Sequence, residues 1–212
     1  EYDAVVVGAG VLGLSTAFHI KRKRPKDTVL VVDRMSGPGQ GNTGKSWAGF
    51  RNFFSSSTNR VLADSSIEFY KHVQEDLGID LQMKWIGYLF LFNREDYEKR
   101  EKILKDMAKK GVEYQIYEVA ELSKRLNMNF KPRSEGARTV GLVDIDVGVM
   151  ATKAGIMDAD SIVRFYESEF LRLGGKVQYE TKVQKIIIEP KKSLGFPDEP
   201  YFWQDSKVSG VQ

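Results

Sequence analysis

The chain has 212 residues, 42% of them hydrophobic and 11% aromatic, which is enough to bury a sizeable core. Its 32 lysines and arginines against 29 aspartates and glutamates give a net charge of +3 with interspersed signs, a pattern that does not favour nucleic-acid binding. The absence of cysteine excludes disulfides, thiolate catalysis, cysteine-ligated metals and a cysteine-linked flavin. His19 and His72 lie too far apart to predict a metal site.

The sequence predicts a cytoplasmic protein, because no apolar run is long enough to span a membrane and no signal peptide precedes the first predicted strand. Membrane association through partners is left open. The cations of KRKRPK, residues 21–26, are interpreted as a solvated helix end that complements the helix dipole. Abundant lysine and glutamate without cysteine is typical of a heat-tolerant source.

The N-terminal segment, residues 1–33, predicts a βαβ unit. The valines at 5–7 form an apolar run that ends at a glycine, as in a strand buried on both faces. A helix follows and ends at Pro25, because proline cannot continue it. The run at 28–33 predicts a second buried strand, so a parallel pair with a right-handed crossover is expected.

The turn after the first predicted strand has the spacing G-x-G-x-x-G, formed by Gly8, Gly10 and Gly13. In a dinucleotide site these glycines permit the tight turn, the approach of a pyrophosphate and the close packing of the helix, whose N-terminus attracts phosphate. Asp33 ends the next predicted strand, at the distance from Gly13 that this fingerprint requires, and is predicted to accept hydrogen bonds from ribose hydroxyls. Because the carboxylate would repel a 2′-phosphate, NADP is disfavoured.

FAD and NAD share this fingerprint, and the stretch GQGNTGKSWAGFRN, residues 39–52, favours FAD. After Asp33 the chain enters a long glycine-rich loop, which can wrap around an extended diphosphate–flavin cofactor. Its glycines permit positive φ angles, and Thr43, Ser46 and backbone amides can donate hydrogen bonds to phosphate or flavin oxygens. FAD is therefore the predicted cofactor, and a plain NAD-binding domain is the alternative.

The rest of the chain alternates between predicted helices and strands. Helices are predicted at 59–78, 94–111, 118–127 and 158–175, strands at 84–93 and 114–117, extended chain at 139–150, two short strands within 176–189, and a hairpin over 200–212 that breaks at Asp205-Ser206. This order predicts an α/β fold, a Rossmann-like FAD-binding domain with an inserted mixed α+β substrate domain. The predicted segments are 1–60 (FAD-binding domain, first segment), 61–150 (start of the substrate domain) and 151–212 (return segment).

The stretches DAVVVGAGVLGLSTAFHI, VVDR and GNTGKSWAGFRN resemble the N-terminal half of the D-amino-acid oxidase (DAO) superfamily of FAD-dependent oxidoreductases. The sarcosine oxidase β-like and dye-linked L-proline dehydrogenase members are the most similar. IGYLFLF resembles the family's substrate-domain strand, and GGKVQYETKVQKIII resembles the return strand whose valine, here Val183, contacts adenine. Because family members are much longer, the resemblance implies that the fold is incomplete, its C-terminal half being absent. The remaining half of the same protein or a second subunit would complete the site.

The resemblance also implies a reaction. It is the oxidation of the C–N bond of an amino acid or secondary amine, of the L-proline or sarcosine type, by hydride transfer to flavin N5. The electron acceptor is left open between oxygen, a quinone and a dye. Two alternatives remain: a flavin-dependent dehydrogenase of hydroxy compounds such as glycerol 3-phosphate, and a non-catalytic flavin-binding subunit.

Arg51 is the predicted catalytic residue, because an arginine after a flavin loop can bind a substrate carboxylate bidentately or stabilise the charge of reduced flavin. A structural salt bridge is its alternative role. Lys45 is predicted beside the cofactor or in solvent, Trp47 and Phe50 beside the flavin ring or in the core, and Tyr88 in the core or the pocket. The predicted cofactor-binding residues are Gly8, Ala9, Gly10, Val11, Leu12, Gly13, Asp33, Arg34, Asn42, Thr43, Lys45, Ser46, Ala48, Gly49, Phe50 and Val183.

Overall fold

The computed structural model describes residues 1–212, apart from the side chain of residue 138. In chain order the elements are β1 (Ala4–Val7), α1 (Val11–Lys23), β2 (Val29–Val32), a 3-10 turn (Thr43–Lys45), β3 (Gly49–Arg51), α2 (Ser57–Glu75), β4 (Tyr88–Phe92), α3 (Arg94–Lys109), β5 (Tyr114–Glu118), α4 (Val119–Arg125), α5 (Glu135–Thr139), β6 (Val147–Ala151), β7 (Ala154–Ile156), α6 (Ala159–Arg172), β8 (Lys176–Gln178), β9 (Ile186–Pro190) and β10 (Ser206–Val211). None of the helices described is long and apolar enough to cross a membrane.

The chain divides into two compact units. The first joins residues 1–46 to 159–212, and the second comprises residues 47–158. The first boundary between the units follows residue 46, which is earlier in the chain than the predicted boundary at 60. The second boundary follows residue 158, which is later than the predicted boundary at 150. The assignment of the segments to FAD-binding and substrate domains stays a prediction.

The first unit is built on a parallel sheet of order β1-β2-β8. Ala4 pairs with Val29 and Leu30 with Lys176, so the parallel pairing predicted for the first two strands is confirmed. Helices α1 and α6 pack together, with the Phe18 ring 6.2 Å from that of Phe165. Fully buried core side chains lie on both helices and on the central strand: Leu14, Ala17, Val31, Val163 and Phe170. The carboxyl ends of these strands carry the loops that form the candidate site.

The predicted solvated helix end is confirmed for residues 22–26, which are exposed, and is wrong for Lys21. Lys21 is only 5% exposed, and its ammonium donates to the carbonyls of Pro25 (2.9 Å) and Asp27 (2.8 Å). These bonds satisfy a buried charge and tie the end of α1 to the turn that leads into β2. Lys21 is therefore a structural residue.

The C-terminal part of the first unit differs from the predicted hairpin. The hairpin consists of β9 and β10, which pair antiparallel with Lys207 opposite Glu189. The predicted strand at 200–204 is instead part of a turn, in which the Glu199 carboxylate accepts hydrogen bonds from the amides of Leu194 and Phe196. Val183, predicted on a return strand, lies in the loop between β8 and β9.

The second unit contains two antiparallel sheets, β3-β7 and β4-β6-β5. In the three-stranded sheet the central strand β6 is the most buried, because Val147, Val149 and Ala151 are almost fully covered. The strand predicted at 84–93 is shorter, since Gly87 takes a φ of +75° just before Tyr88 and interrupts it. The extended chain predicted at 139–150 is present only at β6, and the helix α5 precedes it.

Candidate functional site

The turn between β1 and α1 owes its shape to two glycines. Gly8 has a φ of +107°, and its amide donates to the Val32 carbonyl (2.7 Å), which continues the strand pairing into the turn. A Cβ atom on Gly13 would lie 1.8 Å from the Gly8 carbonyl oxygen. Only glycine at this position therefore lets α1 pack this closely on the turn, as the dinucleotide fingerprint requires.

The glycine-dense loop, residues 39–46, is docked onto this turn by two hydrogen bonds. The Gly39 amide donates to the Ala9 carbonyl (2.9 Å), and the Val11 amide donates to the Thr43 hydroxyl oxygen (3.1 Å). A Cβ atom on Gly10 would lie 3.1 Å from that hydroxyl, so Gly10 leaves room for the contact. The Thr43 hydroxyl thus accepts from the first turn of α1 and retains its own proton for donation to another group.

Asp33 joins the end of β2 to the same turn. One of its carboxylate oxygens accepts from the Ala9 amide (2.6 Å) and the other from the Met35 amide (2.8 Å). Each oxygen has a second lone pair, so the carboxylate can still accept hydrogen bonds from hydroxyl groups. The carboxylate therefore orders the turn in addition to the ribose contact predicted for it.

A cavity of about 470 Å³ opens between the turn and the glycine-dense loop. Ten of the predicted residues line it: Gly8, Gly10, Val11, Leu12, Gly13, Asp33, Arg34, Asn42, Thr43 and Lys45. The lining also includes residues that sequence reasoning missed: Val7, Met35, Gln40 and Gly41. Val7, Met35 and Gly41 are each next to a predicted residue in the sequence, and that adjacency was the available signal.

A second cavity, of about 240 Å³, adjoins the first, because Val7, Gly8, Asp33 and Arg34 line both. The predicted residue Val183 lies in its wall, so the structure brings Val183 together with Asp33. Sequence reasoning missed the two preceding wall residues, Thr181 and Lys182. Their only signal was their position beside Val183.

Two predicted residues of the first unit are outside the described lining of both cavities. Ala9 is fully buried and contributes backbone contacts to Asp33 and Gly39. The Ser46 amide donates to the Thr43 carbonyl (3.0 Å) and closes the 3-10 turn. Both residues shape the loop that carries Thr43, and their assignment as cofactor contacts stays a prediction.

The chemistry of the two cavities suits a dinucleotide. The N-terminus of α1 and the Thr43 hydroxyl offer donors for a diphosphate, and Lys45 adds a positive charge. The Asp33 carboxylate offers acceptors for ribose hydroxyls, and the second cavity extends beyond it toward Val183.

In the second unit Arg51 lies in an aromatic environment. Its guanidinium carbon is 5.1 Å from the ring centre of Tyr88, 5.3 Å from that of Phe54 and 5.7 Å from that of Phe90. Its Nε is buried without a hydrogen-bond partner, and the described residues provide no carboxylate within ion-pair distance. A salt bridge within the described residues therefore does not account for Arg51. A cavity of about 510 Å³ beside it is lined by β3, by Phe54 and by residues of α2, so the predicted residues Gly49 and Phe50 lie in the same wall as Arg51.

Three predicted cofactor residues also belong to the second unit. Ala48 has a φ of +49°, a left-handed conformation that is uncommon outside glycine. A Cβ atom on Gly49 would lie 2.5 Å from the Trp47 ring, so this glycine permits the indole to cover the backbone. Phe50 is 8% exposed and packs edge-on against Trp85, with ring centres 5.0 Å apart. Its burial favours core packing, and its role as a flavin contact stays a prediction.

Comparison with known proteins identifies the family of this chain. Residues 3–196 match the DAO family, described as FAD dependent oxidoreductase. The FAD-dependent oxidoreductase domain-containing protein 1 of Bos taurus is 33% identical over 132 residues, which are 58% of this chain and 27% of that protein. The peroxisomal sarcosine oxidase of Homo sapiens is 24% identical over 186 residues, which are 87% of this chain and 44% of that protein.

The solved structure of L-proline dehydrogenase from P. horikoshii superimposes with a TM-score of 0.67 at 22% identity. The superposition covers 89% of this chain and 46% of that one, so the two share a fold. The family match gives the class of protein, an FAD-dependent oxidoreductase. The chain belongs to the DAO family of FAD-dependent oxidoreductases, and FAD is the cofactor that this membership implies. The chain spans less than half the length of the relatives that it matches.

We expect Asp33→Ala to raise the dissociation constant of FAD by at least about tenfold, because it removes two charge-assisted hydrogen bonds to the turn together with the acceptors predicted for the ribose hydroxyls. Fluorescence titration with FAD measures this change. Asp106→Ala, which removes an exposed carboxylate from α3, is the control and should leave FAD binding unchanged. If Asp33→Ala bound FAD with unchanged affinity, the predicted role of Asp33 in cofactor binding would be wrong.

Proposed function

We propose that this chain carries the cofactor-binding and carboxylate-recognising part of an enzyme that oxidises the C–N bond of an amino acid or secondary amine. The observation that carries the proposal is the Arg51 guanidinium, which is partly buried among aromatic rings without a carboxylate partner among the described residues. The resemblance to the human peroxisomal sarcosine oxidase supports it. Sarcosine and proline are both carboxylates that carry a secondary amine.

The cofactor part of the proposal rests on the first unit. Bound FAD would supply the hydride-accepting chemistry. The residues of this chain then have positional roles: the α1 N-terminus and Thr43 hold the diphosphate, and Asp33 holds the ribose. Leu12 and Val7 line the first cavity with 82% and 56% of their surfaces exposed. Bound FAD would cover part of this apolar surface, and a further part of the protein or a second subunit would cover the rest.

The substrate part of the proposal rests on the electrostatics of Arg51. A guanidinium that is withdrawn from water loses hydration free energy unless an anion or hydrogen-bond acceptors replace the water. The faces of Phe54, Tyr88 and Phe90 supply part of the compensation through cation–π attraction. A carboxylate would supply the rest, because its two oxygens match the donor pair of a guanidinium. The charged group that Arg51 recognises is therefore proposed to be the substrate carboxylate.

The lining of the cavity beside Arg51 favours this proposal over a glycerol-3-phosphate type of dehydrogenase. A phosphate dianion is best recognised by several cations, whereas the described lining of the cavity beside Arg51 contains Arg51 as its one cation. A non-catalytic flavin-binding subunit remains the second alternative. It would keep the first-unit site and show no flavin reduction by any amine.

The test is the visible spectrum of the purified protein as substrates are added without oxygen. We expect flavin absorbance, and we expect L-proline, sarcosine, glycine or D-alanine to bleach it. Bleaching by glycerol 3-phosphate and by none of the amines would favour the hydroxy-compound alternative. Bound flavin that no compound bleaches would favour the non-catalytic subunit, and a protein that binds NAD but not FAD would contradict the cofactor assignment.

A further inference from the structure

The loop at residues 179–183 forms one wall of the second cavity and is held to the end of β2 by its backbone. The Thr181 amide donates to the Asp33 carbonyl (2.8 Å), and the Glu180 amide donates to the Met35 carbonyl (2.9 Å). Thr181 and Val183 face the cavity that Asp33 also lines. The position of this wall relative to Asp33 therefore fixes the width of the cavity.

The loop has an unfavourable backbone conformation at its second residue. Glu180 has a φ of +53°, in the left-handed region where side-chain-bearing residues are uncommon. Such conformations persist where the surrounding structure over-determines them, and they concentrate at ligand sites. The two backbone bonds to Asp33 and Met35 supply part of that support, and a contact at the base of the loop supplies more.

That contact is a hydrogen bond from the Tyr179 hydroxyl to the Glu167 carboxylate. Glu167 lies on α6, whose neighbouring residues Val163 and Phe170 are fully buried, so the acceptor is fixed to the core of the unit. Burial, and then the bond to Glu167, raises the pKa of Tyr179 well above its ordinary value. The hydroxyl therefore keeps its proton and donates throughout the physiological pH range.

We propose that Tyr179 and Glu167 are positioning residues that hold this loop against Asp33 so that it closes the adenosine end of the FAD site. This inference rests on the assignment of FAD to the first unit. Neither residue is among the described lining of the two cavities, so both act through the loop. The Tyr179–Glu167 bond anchors the loop to α6, and the backbone bonds anchor it to β2.

Tyr179→Phe tests the proposal, because it removes the hydroxyl and keeps the ring. We expect the dissociation constants of FAD and of ADP to rise by the same factor, about threefold to tenfold, as for the loss of one intramolecular hydrogen bond. ADP lacks the flavin, so an equal loss for both ligands locates the defect at the nucleotide end. Titration calorimetry of the full chain measures both constants.

Glu167 supplies the rescue experiment. Glu167→Gln keeps an acceptor oxygen for Tyr179 and should bind both ligands within about twofold of wild type, whereas Glu167→Ala should match Tyr179→Phe. The double variant Tyr179→Phe/Glu167→Ala should lose no more than either single variant, because the two share one interaction. Losses that add up would overturn the pairing, and the glutamate series decides the question even if Tyr179→Phe does not fold.

Tyr201→Phe is the matched control, since its hydroxyl donates to the Pro197 carbonyl at the turn beyond β9 in the same unit. It should leave the binding of FAD and ADP unchanged. If wild-type protein binds neither ligand, the cofactor assignment fails. If wild type binds both and Tyr179→Phe binds them equally well, the positioning role fails and the cofactor assignment stands.

Discussion

Gly13→Ala is expected to abolish detectable FAD binding and to lower the free energy of unfolding by about 3 kcal/mol, near the upper end for overpacking. The new Cβ atom would lie 1.8 Å from the Gly8 carbonyl oxygen and 3.5 Å from the Val6 side chain. Because the first contact is with backbone, α1 would have to move away from β1. That movement would displace the helix N-terminus proposed to hold the diphosphate. Urea denaturation and FAD titration measure the two effects.

The control for this prediction is Gly136→Ala. Gly136 lies in α5, and a Cβ atom there would meet no described atom within 4 Å outside the backbone of its own helix. Alanine is also a better helix former than glycine, so this variant should be as stable as wild type or slightly more stable. If Gly13→Ala bound FAD with wild-type affinity, α1 would not be the phosphate-binding helix.

The βαβ unit is predictable from the sequence because each of its signals is local. Three glycines at fixed spacing and a valine run before them define the turn and the sheet, and Asp33 after the next strand gives the predicted ribose position. The structure adds physical reasons that no spacing carries. Gly13 is needed because of the Gly8 carbonyl oxygen, and Gly10 leaves space for Thr43. The second contact joins residues that are distant in the sequence, so it depends on how the loop folds back.

The sequence-based predictions are wrong where distant groups or competing local hydrogen bonds determine the structure. Lys21 has the sequence signature of a solvated helix end, but the carbonyls of the following turn solvate it instead of water. The apolar residues at 201–203 predict a strand, yet Glu199 accepts the amide protons of the preceding residues and forms a turn. Val183 lies in a loop, because the strand predicted there ends at Gln178.

The candidate site shows the same division between local and distant signals. The residues at 8–13 and 33–34 are predictable from a motif, whereas Thr181 and Lys182 are not, because only the pairing of β8 with β2 brings their loop to Asp33. Arg51 is predictable from its place after the glycine-dense loop. The signal for its aromatic surroundings is the alternation of Tyr88 and Phe90 along β4, which places both side chains on one face of the sheet.

Arg51→Met is expected to lower the efficiency with which the substrate amine reduces the flavin by about 100-fold, as for the loss of a charge-assisted bidentate pair. Methionine keeps an apolar stem beside the aromatic rings, so the fold should persist. FAD binding should also persist, because the proposed diphosphate and ribose contacts lie in the first unit. Arg51→Lys should recover only part of the loss, since an ammonium lacks the planar donor pair. Stopped-flow reduction under anaerobic conditions measures these rates.

Arg60 in α2 provides a matched control, because its Nε is also buried without a partner while its guanidinium donates to the Lys110 carbonyl (3.2 Å). Arg60→Met should lower stability and leave the reduction rate at saturating amine unchanged. A carboxylate role also predicts that an amine without a carboxylate reduces wild type and Arg51→Met at similar slow rates. If instead Arg51→Met slowed both substrates equally, Arg51 would act on the charge of the flavin, which is the other role predicted for this arginine.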